Sequence, residues 1–200
     1  MTLHAYDFIP SPLWLLTVLH ILTLTLHFVA MNLLAGGAAI LGYFYATGRG
    51  TTPAARRYTR ALPAIMAATI TLGVAPLLFV QLVYPRQIYG ASIASAWLWL
   101  AIIPALVIAY YLVYGAAFGK PESGHAKWYL LGALVVFLYV SFVYSSVFAM
   151  GERMKLIAEL YTRNQAGVFV NPAIGEYIAR WGHMLLGALT VAGFFLGVIA

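Results

Sequence analysis

The chain of 200 residues contains no cysteine. That excludes disulfides, iron–sulfur ligation and covalent attachment of a c-type haem. Charge is nearly as scarce: 11 Lys and Arg against 5 Asp and Glu make 8%, where a soluble domain carries about 25%. So few charges cannot cover the surface of a soluble globule. No acidic residue lies between Asp7 and Glu122. No Asp, Glu, Lys or Arg falls deep in an apolar run, and a proton pump or ion-coupled transporter is built from such groups. The chain also lacks a glycine-rich phosphate loop, a nucleophile elbow and a zinc-protease motif. It has no internal repeat and no basic run of the kind that binds nucleic acid.

What is present is apolar. Hydrophobic residues make up 64%, against about 45–50% in an average domain, and the mean hydropathy is +0.91. That is too much to leave disordered. An integral membrane protein remains, with room for five or six helices at about 20 residues per span. Five runs stand out: Leu13–Tyr45, Ala61–Val83, Ile93–Phe118, Trp128–Met150 and Trp181–Ala200, the last with a possible start near Ile174. The first exceeds a bilayer's needs and must tilt or project. The expected fold is an all-α, integral membrane bundle of five transmembrane helices, a single domain over residues 1–200.

The loop after the first run holds Arg49, Arg56, Arg57 and Arg60 and no acid. The positive-inside rule puts it inside and the N-terminus outside. The first twelve residues carry no Lys or Arg, unlike the n-region of a signal peptide. Between the fourth and fifth runs lies the one sizeable polar segment, Gly151–Arg180. Its Glu152–Arg163 part is amphipathic and is expected either on the outer membrane surface or against a partner. Pro63, Pro76 and Pro104 should kink helices two and three. Gly36, Gly37, Ala38, Ala39 and Gly42 allow close helix packing or leave room for a flat cofactor.

Histidine is the ionisable residue that does enter the spans, at His20, His27 and His183. An ionisable group there points to function. Seven residues bring His20 and His27 to one face within about 20°, about 10.5 Å apart along the axis. That spacing is too wide for one iron and suits two cofactors at different depths. Counted from the run starts, His20 is about 10 Å deep, His27 about 21 Å and His183 about 3 Å, or deeper if its helix starts earlier. His20 and His183 are then the better-matched pair for one bis-histidine haem, with His27 left for a second haem or another partner. Neutral imidazole binds haem iron well. The plainer alternative is an imidazole bonded to a helix backbone or a neighbour. His4 and His125 fall in a polar terminus and a loop and are read as non-ligands. Without nearby carboxylates or thiols, zinc and non-haem iron are poorly served.

The histidine neighbourhoods carry a resemblance. Leu26-His27-Phe28-Val29-Ala30, then Leu33 to Gly37 and a helix ending Ala46-Thr47-Gly48-Arg49, resembles the first helix of the cytochrome bd quinol oxidase large subunit. Thr71-Leu72-Gly73-Val74-Ala75 with Phe79 to Gln81 resembles its second helix. Asn171-Pro172-Ala173, followed by His183 and Gly187, resembles its fifth. The resemblance spans most of this chain and the first part of that subunit. It implies that His27 ligates one haem and His183 a low-spin haem b, in a bacterial cytoplasmic membrane. The family's membrane glutamates, its G-R-Q-P-W motif and its methionine ligand have no counterpart here, so oxygen reduction is not carried over; His20 could stand in for the methionine.

The expectation is therefore a haem b electron-transfer subunit of a respiratory complex, with one or two haems. It would pass electrons between the quinone pool and an outer-face partner such as a c-type cytochrome. The rival is a haem-free membrane anchor; a small transporter comes third.

Overall fold

The computed structural model describes residues 11–119 and 124–200. His4, Asp7, Lys120 and Glu122 lie outside the described residues. The helices are α1 (Leu13–Ala46), α2 (Pro53–Val83), α3 (Pro85–Ala94), α4 (Ala96–Leu100), α5 (Ile102–Phe118), α6 (Ala126–Gly151), α7 (Met154–Arg163) and α8 (Ile174–Ile199). Five are long and apolar enough to cross a membrane: α1, α2, the α4–α5 unit Ala96–Phe118, α6 and α8. The chain is a multi-pass helical membrane protein. Its 34-residue α1 is about 51 Å long against a hydrocarbon core of about 30 Å, so the expected excess length is real.

Two boundaries differ from expectation. Helix α2 starts at Pro53 rather than Ala61, because the Thr52 hydroxyl accepts from the Ala55 amide at 3.4 Å and proline occupies the first turn. Both are helix-start signals, so Arg56, Arg57 and Arg60 lie in helix rather than loop. The third span is preceded by the separate helix α3. The chain breaks at Ser95, whose backbone leaves the helical region at φ −110° and ψ 29°. The freed backbone groups are satisfied by the segment before α8. Phe169 N donates to Ala94 O at 3.0 Å and Trp97 N to Gly167 O at 3.1 Å. The Ser95 hydroxyl donates to Phe169 O at 2.6 Å. Gly167 has φ +69°, and a Cβ there would lie 2.8 Å from Ala96 Cβ; the turn therefore favours glycine.

The prolines act unequally. Helix α2 stays helical through Pro63 and Pro76. The third span is interrupted at Ala101, three residues before Pro104, which cannot donate to the Leu100 carbonyl and crowds it.

Packing follows the small residues. In lipid there is little hydrophobic drive between helices, so close van der Waals approach holds them. A Cβ on Gly36 would strike the Ala188 carbonyl of α8 and lie 2.8 Å from Ala192 Cβ. Gly37 lies under the Tyr58 ring, whose hydroxyl donates to Leu33 O at 2.7 Å. The space these glycines open is filled by α8 and Tyr58, so they serve packing rather than a flat cofactor. The main core joins α1, α2, α5 and α6 through Leu41, Leu62, Met66, Val113 and Leu130.

A second core joins α3, α6 and α7. The amphipathic segment forms α7, and two of its apolar residues, Ile157 and Leu160, are buried in this core beside Ile88, Ala91 and Ala94 of α3. Met154 and Tyr161 stay exposed. Across this end, Arg180 Nη1 pairs with Glu152 Oε1 at 3.0 Å and Arg153 pairs with Glu176. Both pairs are solvent-exposed, so solvent screening leaves them little net stabilisation.

Candidate functional site

Helix α1 presents His20 and His27 to the same neighbour, α2, as their seven-residue spacing requires. The two helices are antiparallel, so the later histidine meets the earlier part of α2. His27 Nδ1 is 3.0 Å from the Thr69 carbonyl. A carbonyl can only accept, so Nδ1 carries the proton and Nε2 keeps its lone pair. The ring fits because residue 73 is glycine: a Cβ there would lie 2.8 Å from His27 Cε1 and 3.0 Å from Nδ1.

His20 sits about two turns nearer the start of α1, edge-on to Phe79 with ring centroids 6.5 Å apart. Its Nδ1 is buried and has no partner. Among the described residues, that atom and the Tyr177 hydroxyl are the buried side-chain nitrogen or oxygen atoms left unpaired. Such a group costs about 1–3 kcal/mol in lost hydration. His27 Nε2 is neither buried unpaired nor hydrogen-bonded, so it opens at the helix surface. The two imidazoles therefore differ: one is oriented by a backbone carbonyl, the other is not.

His183 is not brought to them. It is exposed on the outward face of α8. Helices α1 and α8 run in the same direction, since Gly36 touches Ala188 while Ile40 touches Gly193. Counted from that contact, His183 lies about 7.5 Å, His27 about 13.5 Å and His20 about 24 Å towards the helix starts. His20 and His183 thus differ in depth by about 16 Å, and the expected match between them does not hold. The cause is that α1 projects well beyond the start of α8. His183 is nearer in depth to His27 but faces away from it, on a different helix face. His125, in the loop before α6, is exposed and has Tyr129 beside it, ring centroids 6.4 Å apart.

Among the described residues, no cluster of three or more His, Asp, Glu or Cys could hold a metal ion. A crevice of about 170 Å³ lies between α4, α6 and the segment before α8, lined by Ser95, Leu98, Tyr139, Phe142, Ser146 and Val170 among others. Its size is below the range of about 300–1,000 Å³ usual for cofactor sites, and none of the three histidines borders it.

Sequence reasoning singled out His27 and placed Gly73 in a motif of the second helix, but did not bring the two together, and it missed Thr69. Gly73 was legible as a glycine inside an apolar helix, a position that costs about 1 kcal/mol without a packing reason. The carbonyl of Thr69 leaves no signal in a sequence.

Comparison with models of known protein families, with curated proteins and with solved structures returns no match to this chain. The fold and sequence define a multi-pass membrane protein of five long apolar helices.

Proposed function

We propose that the chain is a haem b electron-transfer subunit of a respiratory complex in a bacterial cytoplasmic membrane. The observation that supports it best is the His27 imidazole, fixed by Nδ1–H donation to the Thr69 carbonyl, with Nε2 left open. Metal-ligating histidines usually donate their other ring N–H to a carbonyl or carboxylate, which sets the tautomer and raises basicity. By that test His27 would be a residue that holds the iron of a haem b. A haem b there supplies a one-electron iron couple.

The chain's own residues bind and orient. Gly73 lets the imidazole lie against α2. Thr69 fixes its plane. Nε2 stays open at the helix surface, where iron could reach it. His183 offers a second imidazole on the open face of α8, directed at whatever covers that face. His20, with its unpaired Nδ1, is the third candidate ligand.

With the α1–α2 loop inside, all three acidic residues among those described, Glu152, Glu159 and Glu176, lie at the opposite, outer end. There they mix with Arg86, Arg153, Lys155, Arg163 and Arg180. That mixed outer surface suits docking of a separate redox protein such as a c-type cytochrome, with the membrane quinone pool as the other electron source or sink.

The test is pyridine haemochrome quantitation on the purified complex, which should return one or two haems b per chain. The rival reading, a haem-free anchor, draws on the outward position of His183. It expects no haem, and it expects His20→Ala and His183→Ala to leave assembly and turnover unchanged.

A further inference from the structure

The two ends of the bundle carry charge differently. At the end where α1 finishes and α2 begins, Arg49, Arg56, Arg57, Arg60 and Lys127 face no acidic residue among those described. Among the described residues, none of Arg49, Arg56 and Arg60 has an ion-pair or side-chain hydrogen-bond partner. Arg57 reaches the Ile199 carbonyl at the end of α8, 3.5 Å away. All four arginines are exposed.

Their depth is set by α2. Its 31 residues span about 46 Å, more than the hydrocarbon core of about 30 Å. Arg56 and Arg57 lie within about 6 Å of the helix start and Arg60 at about 10 Å, which is headgroup depth for a helix that overshoots the core. Aromatic side chains mark the same level: Tyr43, Tyr114 and Trp128 are exposed there, as interfacial aromatics are. Arg56 and Arg60, four residues apart, share one face of α2. Continuing along that face, Ala64, Ala67, Ala68 and Thr71 are exposed and small, which leaves room for a chain beside the helix. Guanidinium groups bind phosphate oxygens in forked geometry, and basic clusters at helix ends on the cytoplasmic side hold anionic headgroups.

We infer that Arg56 and Arg60, with Arg49 and Arg57 beside them, form a binding site for the phosphate of an anionic phospholipid. The site is independent of the haem reading.

The test is native mass spectrometry of the full chain after equilibration with vesicles of equal parts phosphatidylglycerol and phosphatidylethanolamine. The wild type should retain phosphatidylglycerol in preference. Each arginine is worth about 1 kcal/mol near an anionic surface, about fivefold. Arg56→Gln with Arg60→Gln should therefore lower that preference by roughly thirtyfold. Arg86→Gln with Arg163→Gln, at the other end, should leave it unchanged. Three results would overturn the site: no preference in the wild type, equal retention by the Arg56/Arg60 variant, or equal loss in the Arg86/Arg163 variant. Removal of the bound lipid by millimolar inorganic phosphate would also overturn it, since the site would then be one for free phosphate.

Discussion

His27 and Gly73 meet because one residue has a ring and the other has no side chain. A Cβ at position 73 would lie 2.8 Å from His27 Cε1, so Gly73→Ala should displace the imidazole and loosen its bond to Thr69. Overpacking of this kind costs about 1–3 kcal/mol. Thermal unfolding of the variant in detergent should show that loss, and haem content should fall with it; an unchanged melting temperature would mean that the ring moves aside freely. Gly36 makes a parallel case at the α1–α8 crossing. Gly36→Leu should push α8 off α1 and lower the melting temperature, because the Ala188 carbonyl is backbone and cannot swing away. At this scale the sequence was informative about which residues to look at. His20 and His27 share a face because 3.6 residues make a turn, and no neighbour need be known to say so. It was silent about which imidazole would be oriented, since that depends on a backbone carbonyl of another helix.

The long apolar runs became helices with ends within a few residues of expectation, except where local chemistry outweighed hydropathy. Thr52 and Pro53 start α2 early, and Ser95 breaks the third span because Gly167 and Phe169 supply the hydrogen bonds that the break needs. The segment before α8 therefore has a structural task. Asn171, 1% exposed, accepts from Ala173 N at 3.0 Å, and its own backbone N–H donates to Ser146 Oγ at 3.1 Å. Asn171→Ala removes the side-chain acceptor from a buried site and should cost about 1–3 kcal/mol, read as a lower melting temperature. A neutral result would mean that water satisfies the Ala173 amide. The depth mismatch of His20 and His183 belongs to this scale too. Counting from the ends of apolar runs assumes that all spans start level, whereas α1 overshoots α8.

Among the described residues, the bundle has one mixed-charge end and one basic end. The absence of native cysteine makes its orientation directly measurable with single introduced thiols. Thr162→Cys, on α7, should react with a membrane-impermeant maleimide in intact cells, whereas Thr51→Cys, in the α1–α2 loop, should react only after permeabilisation. The reverse pattern would place the arginines outside and remove the basis for both the outer redox partner and the cytoplasmic lipid site. The membrane class and the five spans could be read from composition, because lipid imposes length and apolarity on every crossing helix. The amphipathic Glu152–Arg163 segment that forms α7 was legible as well; helix α3 and the core that joins it to α7 were not, since a short helix at a membrane surface has no comparable constraint.

His27 is proposed to hold a haem b. The most direct measurement is a reduced-minus-oxidised visible spectrum of the purified complex, for wild type and for His27→Ala. A b-type α band in the wild type that is lost or shifted in the variant is the result predicted here. An unchanged band in His27→Ala, or no haem at all in a folded wild-type preparation that still holds its partner subunits, would contradict it.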